Sequence, residues 1–572
     1  MGHDCDHCYN QVRREAAVLG WYLLNFPYVC SHWARRMSKR ASVTTIHCQG
    51  MPTLPFPETP AEATVHDRRE AMAAMASFGA AALLPGVLPA CAALSPRRST
   101  ASANGSLIRQ ENARPGTRDW LLKNPQLDPS TKYRSPGIEG YASHTSARAG
   151  DVVQLFVSTN PAASFEVDLY RMGHYGGMGA RLVQTLGPFK GRVQEDPPEG
   201  PGRMRECRWE ATTSIAIPED WCSGVYLAKL RVPATGVDSF VTFVVRDDRK
   251  VDCLVQVSDT TWQAYNRWPQ QHSLYDDGKD PWFWGAGSRV TFDRPYGRYC
   301  QFGLPPQSQG SGEFLLWEFP TVFWLESQGF DVSYISNLDV HADAPALLRG
   351  KGLISMGHDE YYSLPMFYGL KSAISSGLSV AFLSGNTCCG LIDVGPASDG
   401  RPNRTLHRLD RYGPRDAKGD ATFVKMSTLP RTAPNEASLV GARSTGPVMG
   451  GAAWTCRKPD HWLFAGTGMK AGDGVPGLVG WEFHGDPATD IPGLEVVAGG
   501  PTKGPAGPSE YAATLYPGPK GNIVFNAATC WWSDGLSAPP GHVRPTDYEE
   551  RFGPDPRVAR ITRNLIERMK TG

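Results

Sequence analysis

The sequence has no surplus of either charge, 58 Lys+Arg against 57 Asp+Glu in 572 residues. That balance excludes a polybasic nucleic-acid binder and leaves partners to be argued from individual sites. Long apolar runs are also missing. Only one uncharged stretch approaches the length needed to span a bilayer, so a multi-span membrane protein is excluded. Glycine and proline together make up about 19% of the chain, above the usual ~12% and below the ~25–30% of low-complexity disorder. Collagen and coiled coil are excluded as well, which leaves a loop-rich globular chain of roughly two to four domains.

The one uncharged stretch, residues 71–94, follows His66-Asp67-Arg68-Arg69-Glu70. Twin arginines, an Ala-rich apolar run and a small-residue exit at Ala90-Cys91-Ala92 have the layout of a bacterial twin-arginine export signal, here residues 66–94. This implies an exported protein, periplasmic or on the cell surface. Leu88-Pro89-Ala90-Cys91 is similar to a lipoprotein cleavage box and leaves a lipid anchor on Cys91 open. The plainer alternatives are a single membrane anchor or a buried Ala-rich helix broken by Pro85 and Pro89. Residues 1–65 show no sustained periodicity, and their lone Cys5-x2-Cys8 pair is weak as a zinc site. They read as disordered or untranslated, with the true start near Met51.

Residues 95–136, rich in Ser, Arg, Pro and Asn, read as a linker. Period-two alternation then predicts strands at 151–157, 164–170, 224–232 and 239–245, and hence an all-β immunoglobulin-like sandwich over 137–248. The Gly-His-Tyr-Gly-Gly turn at 173–177 reads as structural, and Cys207 and Cys222 flank a strand-like run that they could bridge. From 249 to 572 the rhythm changes. Short apolar runs at 253–257, 332–335, 352–356, 379–383, 462–465 and 522–526 read as buried strands. Helical spacing at 313–328, 364–376 and 556–570 lies between and after them. The expected fold is a three-layer α/β domain with a mostly parallel sheet, flavodoxin- or glutamine-amidotransferase-like, with right-handed crossovers.

Ligands of such sheets sit at the carboxyl ends of the strands. Those ends carry Asp259-Thr-Thr-Trp-Gln-Ala-Tyr-Asn266 and His272-Ser-Leu-Tyr275, Gly357-His-Asp-Glu-Tyr-Tyr362, and Ser384-Gly-Asn-Thr-Cys-Cys389. A carboxylate, an imidazole and an amide brought together there can hold a hard cation, carry protons and stabilise an oxyanion. A nucleophilic Cys388 or Cys389 is the competing reading, but the elbow position of Ser384-Gly385-Asn386 holds an asparagine.

The ordered motifs TWQAYN, FDRPY, Leu316-Trp-Glu318, WLESQGFDVSYIS, GHDEY and FLSGN resemble the large (β) subunit family of N,N-dimethylformamidase over about residues 137–572. The resemblance implies a metal-dependent amidohydrolase acting on a linear amide, with a mononuclear iron, Fe(III), held by two tyrosinates and a glutamate. By position these are Tyr265, Tyr296 and Glu360, with His358 and Asn386 as catalytic residues and Glu482 as a further acidic one. Glu318 and His484 are held in reserve. Hard anionic oxygen donors suit Fe(III), and His358 and Glu360, two apart, share a face of an extended chain. Tyr362 departs from the Trp common at its position, which implies a reshaped pocket. The full dimethylformamidase adds a lectin-like region and a small subunit. With no room for the former before residue 137, dependence on a small partner subunit is doubtful. The expected partners are a small, N-substituted amide and no nucleic acid, and a homo-oligomer is compatible.

Two other classes compete. One is an exported glycan or cell-wall binding protein with a non-catalytic α/β domain, using aromatic stretches such as Trp282-Phe-Trp284 and Trp531-Trp532. The other is a cysteine-dependent, amidotransferase-like enzyme.

Overall fold

In the computed structural model, which describes residues 106–128, 134–279, 287–297, 308–413, 433–448, 451–504, 507–544 and 553–571, the period-two runs form strands. The expectations placed on Cys5, Cys8, Arg68, Arg69, Cys91, Trp282 and Trp284 lie outside the described residues. In Val152–Ser158 the side chains of Val153, Leu155 and Val157 are buried while Val152 and Gln154 are exposed, the half-buried pattern of a sheet covered on one face. This strand joins Glu139–Ala142 and Thr213–Ala216 in a three-stranded sheet. A five-stranded sheet orders Ser146–Ala147, Asp238–Val245, Gly224–Arg231, Ser164–Met172 and Ala180–Lys190. The two share one core, with Val153 and Leu155 from the first and Phe165, Val167, Tyr226 and Val241 from the second. Each such side chain contributes about 1.5–3 kcal/mol by leaving water. Cys207 and Cys222 are both buried and both free, so the expected bridge between them is not made.

The next sheet contains β1 (Val251–Val257), β2 (Val332–Ser336), β3 (Gly350–Gly357), β4 (Ser379–Ser384), β5 (Glu495–Gly504), β6 (Gly507–Pro517) and β7 (Ile523–Asn526) in the order β2-β1-β3-β4-β7-β6-β5. The first five in that order are parallel. β6 and β5 extend the sheet antiparallel. The helices that matter for the site are α1 (Asp259–Tyr265), α2 (Phe319–Gln328), α3 (Asn337–Ala342), α4 (Leu364–Ser375) and α5 (Pro556–Thr571).

Alternation along the parallel strands divides their side chains between two cores. Val255, Val257, Ile354 and Phe525 pack with Val322 and Leu325 of α2 and Val558, Ile561 and Leu565 of α5. Leu254, Leu353, Val380 and Val524 pack with Met366, Phe367 and Leu370 of α4. Both faces are therefore covered, which is why these strands read as continuous apolar runs. Helix α4 begins where expected because Ser363 accepts from the Met366 N–H and Pro365 sits in the first turn.

Two expectations need correction. The apolar run at 462–465 is a single 3₁₀ turn, Trp462–Phe464. Asn564 of α5 donates to the carbonyls of Leu463 and Ala465, satisfying the turn from outside. The helix expected over 313–328 is a π turn, Phe314–Glu318, leading into α2. Pro320, with no N–H to give, stands at that junction. No helix among the described residues is long and apolar enough to cross a membrane.

Candidate active site

The carboxyl ends of β1, β3 and β4, neighbours in the sheet, deliver most of the site. Helix α1 follows β1 immediately and ends on Tyr265. After β3 the chain turns at Gly357 with φ 73°. A Cβ there would come 2.5 Å from that of Trp317, so only glycine fits. Asp359 is then fixed from four directions by Gln256 Nε2 (2.6 Å), Ser355 Oγ (2.7 Å), Asn337 Nδ2 (3.0 Å) and Tyr362 Oη (2.6 Å). With Asp359 held on one side, His358 and Glu360 emerge on the other, 3.5 Å apart. The N–H groups of Glu360 and Tyr361 donate to Thr261 Oγ1 and tie the loop to α1.

Beyond β4, Gly385 lets two chain segments close in. A Cβ at that position would lie 2.2 Å from the Glu482 carbonyl and 2.7 Å from the Cys530 nitrogen. Asn386 follows in the left-handed region, φ 53°. Its Nδ2 donates to Glu482 Oε2 at 3.1 Å. Two residues beyond Glu482, His484 Nε2 accepts the Thr387 N–H at 2.9 Å, and burial pushes this imidazole down to about 4, so it is a neutral strut.

At the centre, Glu360 Oε2 accepts from Tyr265 Oη at 2.7 Å and from Tyr275 Oη at 3.1 Å. Tyr275 accepts in turn from Tyr361 Oη (2.8 Å), and Tyr361 from Arg408 (3.2 Å), whose guanidinium lies over the Tyr275 ring. On the other flank His358 Nε2 is 2.5 Å from Glu482 Oε2. The donor atoms of His358, Glu482 and Cys530 all lie within 4.8 Å of one another.

Burial would lower the His358 imidazole, but the charges of Glu482 and Glu360 outweigh it and hold it up, at about 9. Burial, and then Glu482, push the Glu360 carboxyl up. Burial and the Glu360 charge push both phenols, Tyr265 and Tyr275, well above their ordinary value. As they stand these phenols are neutral donors, and a cation against them would be needed to make them phenolates. Asn386 Oδ1, His358 Nδ1 and Trp481 Nε1 are buried without a hydrogen-bond partner among the described residues. Orphaned polar atoms clustered like this mark a place built to receive something.

Five residues expected from the sequence meet here: Tyr265, His358, Glu360, Asn386 and Glu482. Tyr296 does not join them by any described contact. It lies edge-on to Trp262, centroids 6.2 Å apart, beside Asp259 and Gln263 of α1. The second phenol on Glu360 is Tyr275, whose segment the sequence marked without assigning it a role. Cys530 was missed, although it follows β7, another parallel strand, and the strand-end rule would have reached it.

Glu318 accepts from the Ser258 N–H and Trp262 Nε1 and so anchors the start of α1. Tyr362 belongs to the Asp359 network. Cys388 and Cys389 are free and buried, and burial pushes both thiols well up, against a thiolate nucleophile. Trp531 and Trp532 are fully buried, which removes them as a sugar-stacking surface.

Three oxygen donors on one point, two phenols and a carboxylate, make a hard set that fits a ferric ion. The chain matches the family described as N,N-dimethylformamidase beta subunit-like, C-terminal, over residues 166–548, and it belongs to that family. No curated protein matches it.

Proposed function

We propose that this member of the N,N-dimethylformamidase beta subunit-like family is an iron-dependent amidohydrolase that cleaves the C–N bond of a small, N-substituted amide. The observation that carries the reading is the convergence of Tyr265, Glu360, His358, Asn386 and Glu482 in one buried cluster. Tyr265 and Glu360 would hold the iron with a second phenol. The family resemblance favours Tyr296 for that place, and the 3.1 Å contact to Glu360 supports Tyr275. The chemistry such an ion supplies is Lewis acidity, at the amide oxygen and at water.

The side chains then divide the remaining work. Asn386 turns its Nδ2 to the substrate carbonyl oxygen as negative charge develops there. With a cation in the cluster to offset the carboxylate charges that otherwise keep it protonated, His358 would be neutral and carry a proton from the attacking water to the leaving nitrogen, so that the new C–O bond and the broken C–N bond balance without a covalent intermediate. Glu482, 2.5 Å from Nε2, aims the imidazole and stabilises its cation. Trp317, 6.2 Å from His358 and 5.8 Å from Trp481 between ring centroids, keeps bulk water out.

The same reading takes the shared core of the first two sheets as an immunoglobulin-like sandwich, and the sheet covered on both faces as a flavodoxin- or glutamine-amidotransferase-like three-layer domain. It includes export through the Arg68-Arg69 segment to the periplasm or cell surface, and action without a small partner subunit.

The test is metal analysis of the purified protein with an absorption spectrum, followed by chelation and a panel of N-alkyl formamides and acetamides. Expected are about one iron per chain, visible tyrosinate-to-iron absorption, and hydrolysis that stops on chelation and returns with iron. Hydrolysis that survives complete metal removal, or no turnover of any amide by iron-loaded protein, would overturn the reading.

A further inference from the structure

The cluster has two sides of different chemical character. Glu360 accepts its two side-chain hydrogen bonds from oxygens, those of Tyr265 and Tyr275. The opposite side offers one nitrogen, one oxygen and one sulfur, from His358, Glu482 and Cys530, within 4.8 Å of one another and all buried.

Three features show that this second group is built by the fold. Gly385 admits the Cys530 backbone, which any side chain there would block. The Cys530 thiol, fully buried, makes a long hydrogen bond of 3.6 Å to the Gly385 carbonyl. His358 Nε2, fully buried, lies 2.5 Å from Glu482 Oε2, and Nδ1 has no partner among the described residues. A ring nitrogen, a carboxylate oxygen and a thiol sulfur this close together in a buried place are a donor set that one cation can share.

We propose that His358, Glu482 and Cys530 form a second metal site, for zinc(II) or a similar borderline divalent cation, whose occupation stops catalysis by engaging His358. Such ions favour a nitrogen–oxygen–sulfur set, whereas ferric iron favours the oxygens beside it. Bond lengths of about 2.0–2.3 Å in a tetrahedron put donors ~3.3–3.8 Å apart. Sulfur therefore moves in, Glu482 backs away from the imidazole, and the fourth position stays open. Binding displaces to solvent both the Cys530 thiol proton and the proton on the ligating His358 nitrogen, so that thiolate sulfur and neutral imidazole nitrogen become the ligands. Glu482 also gives up its contact with Asn386, so proton carrier and oxyanion donor are disturbed together.

Metal binding here is independent of the amidase reading, whereas inhibition rests on it. The probe is cobalt(II), added to the purified full-length protein with its resident metal in place and followed by thiolate-to-cobalt absorption in the near ultraviolet. Zinc affinity is then read by competition. Expected is one further equivalent with a thiolate band. Cys530→Ser should abolish the band and weaken zinc about 100-fold or more, while Cys389→Ser keeps both. Cys530→Ala and circular dichroism control for folding. In amide assays, read as the ratio of turnover with and without zinc in each protein, zinc should inhibit the native protein and Cys389→Ser and lose that inhibition in Cys530→Ser. A thiolate band retained in Cys530→Ser, or no band in the native protein, would overturn the site. A band lost with Cys530, in a protein that hydrolyses no amide, would support the site and count against the amidase reading.

Discussion

Arg171 and Glu326 are as deeply buried as His358 and Glu360, and the two places are built on opposite rules. Arg171 spends its donors on both Glu326 oxygens (2.8 and 3.0 Å), on the Ser223, Cys222 and Met172 carbonyls and on Tyr175 Oη. Glu326 accepts further from Tyr334 Oη and Asn112 Nδ2. Charge is balanced one to one, and the pair locks Ser164–Met172 to α2. At the site one imidazole faces the carboxyl groups of Glu482, Glu360 and Glu313, and Asn386 Oδ1 and His358 Nδ1 are left without partners. A saturated pair has nothing left to offer a ligand. An under-satisfied cluster with excess negative charge is the arrangement of a site that binds a cation and moves protons.

Breaking the comparison at its most reactive point should give the largest effect. His358→Ala should lower amide turnover by ~10²–10⁴, with metal retained and the unfolding midpoint little changed. The saturated pair should respond in the other currency. Glu326→Ala strands a buried guanidinium and should cost about 3–5 kcal/mol of stability by denaturant titration, whereas Arg171→Met with Glu326→Leu should cost much less. Asn386→Ala should reduce turnover by ~10²–10³ in metal-loaded protein, seen as a fall in kcat. Smallest of all, Cys388→Ser should leave turnover unchanged, because that thiol packs in the core beneath α4 rather than at the cluster. Loss of activity there with iron still bound would revive a cysteine mechanism.

Much of this contrast was legible in the sequence because it is local. The parallel strands announced themselves as short apolar runs, and His358, Glu360 and Asn386 directly follow two of them. α5 was readable because Val558, Ile561, Thr562, Leu565 and Met569 keep one face buried. What escaped is what distance along the chain decides. Tyr275 reaches Glu360 across 85 residues and Cys530 reaches Gly385 across 145. No periodicity encodes either contact. Tyr296 was carried by its motif alone, and its ring packs against Trp262. The antiparallel strands β5 and β6 were unread because Gly, Pro and Thr interrupt their alternation.

The most direct measurement is iron content, visible absorption and amide turnover of Glu360→Ala beside His358→Ala. Glu360→Ala should lose iron, colour and turnover together, whereas His358→Ala should keep iron and colour and lose only turnover. If Glu360→Ala keeps its iron and its colour, the oxygen cluster around Glu360 does not hold the metal, and the assignment fails at its centre.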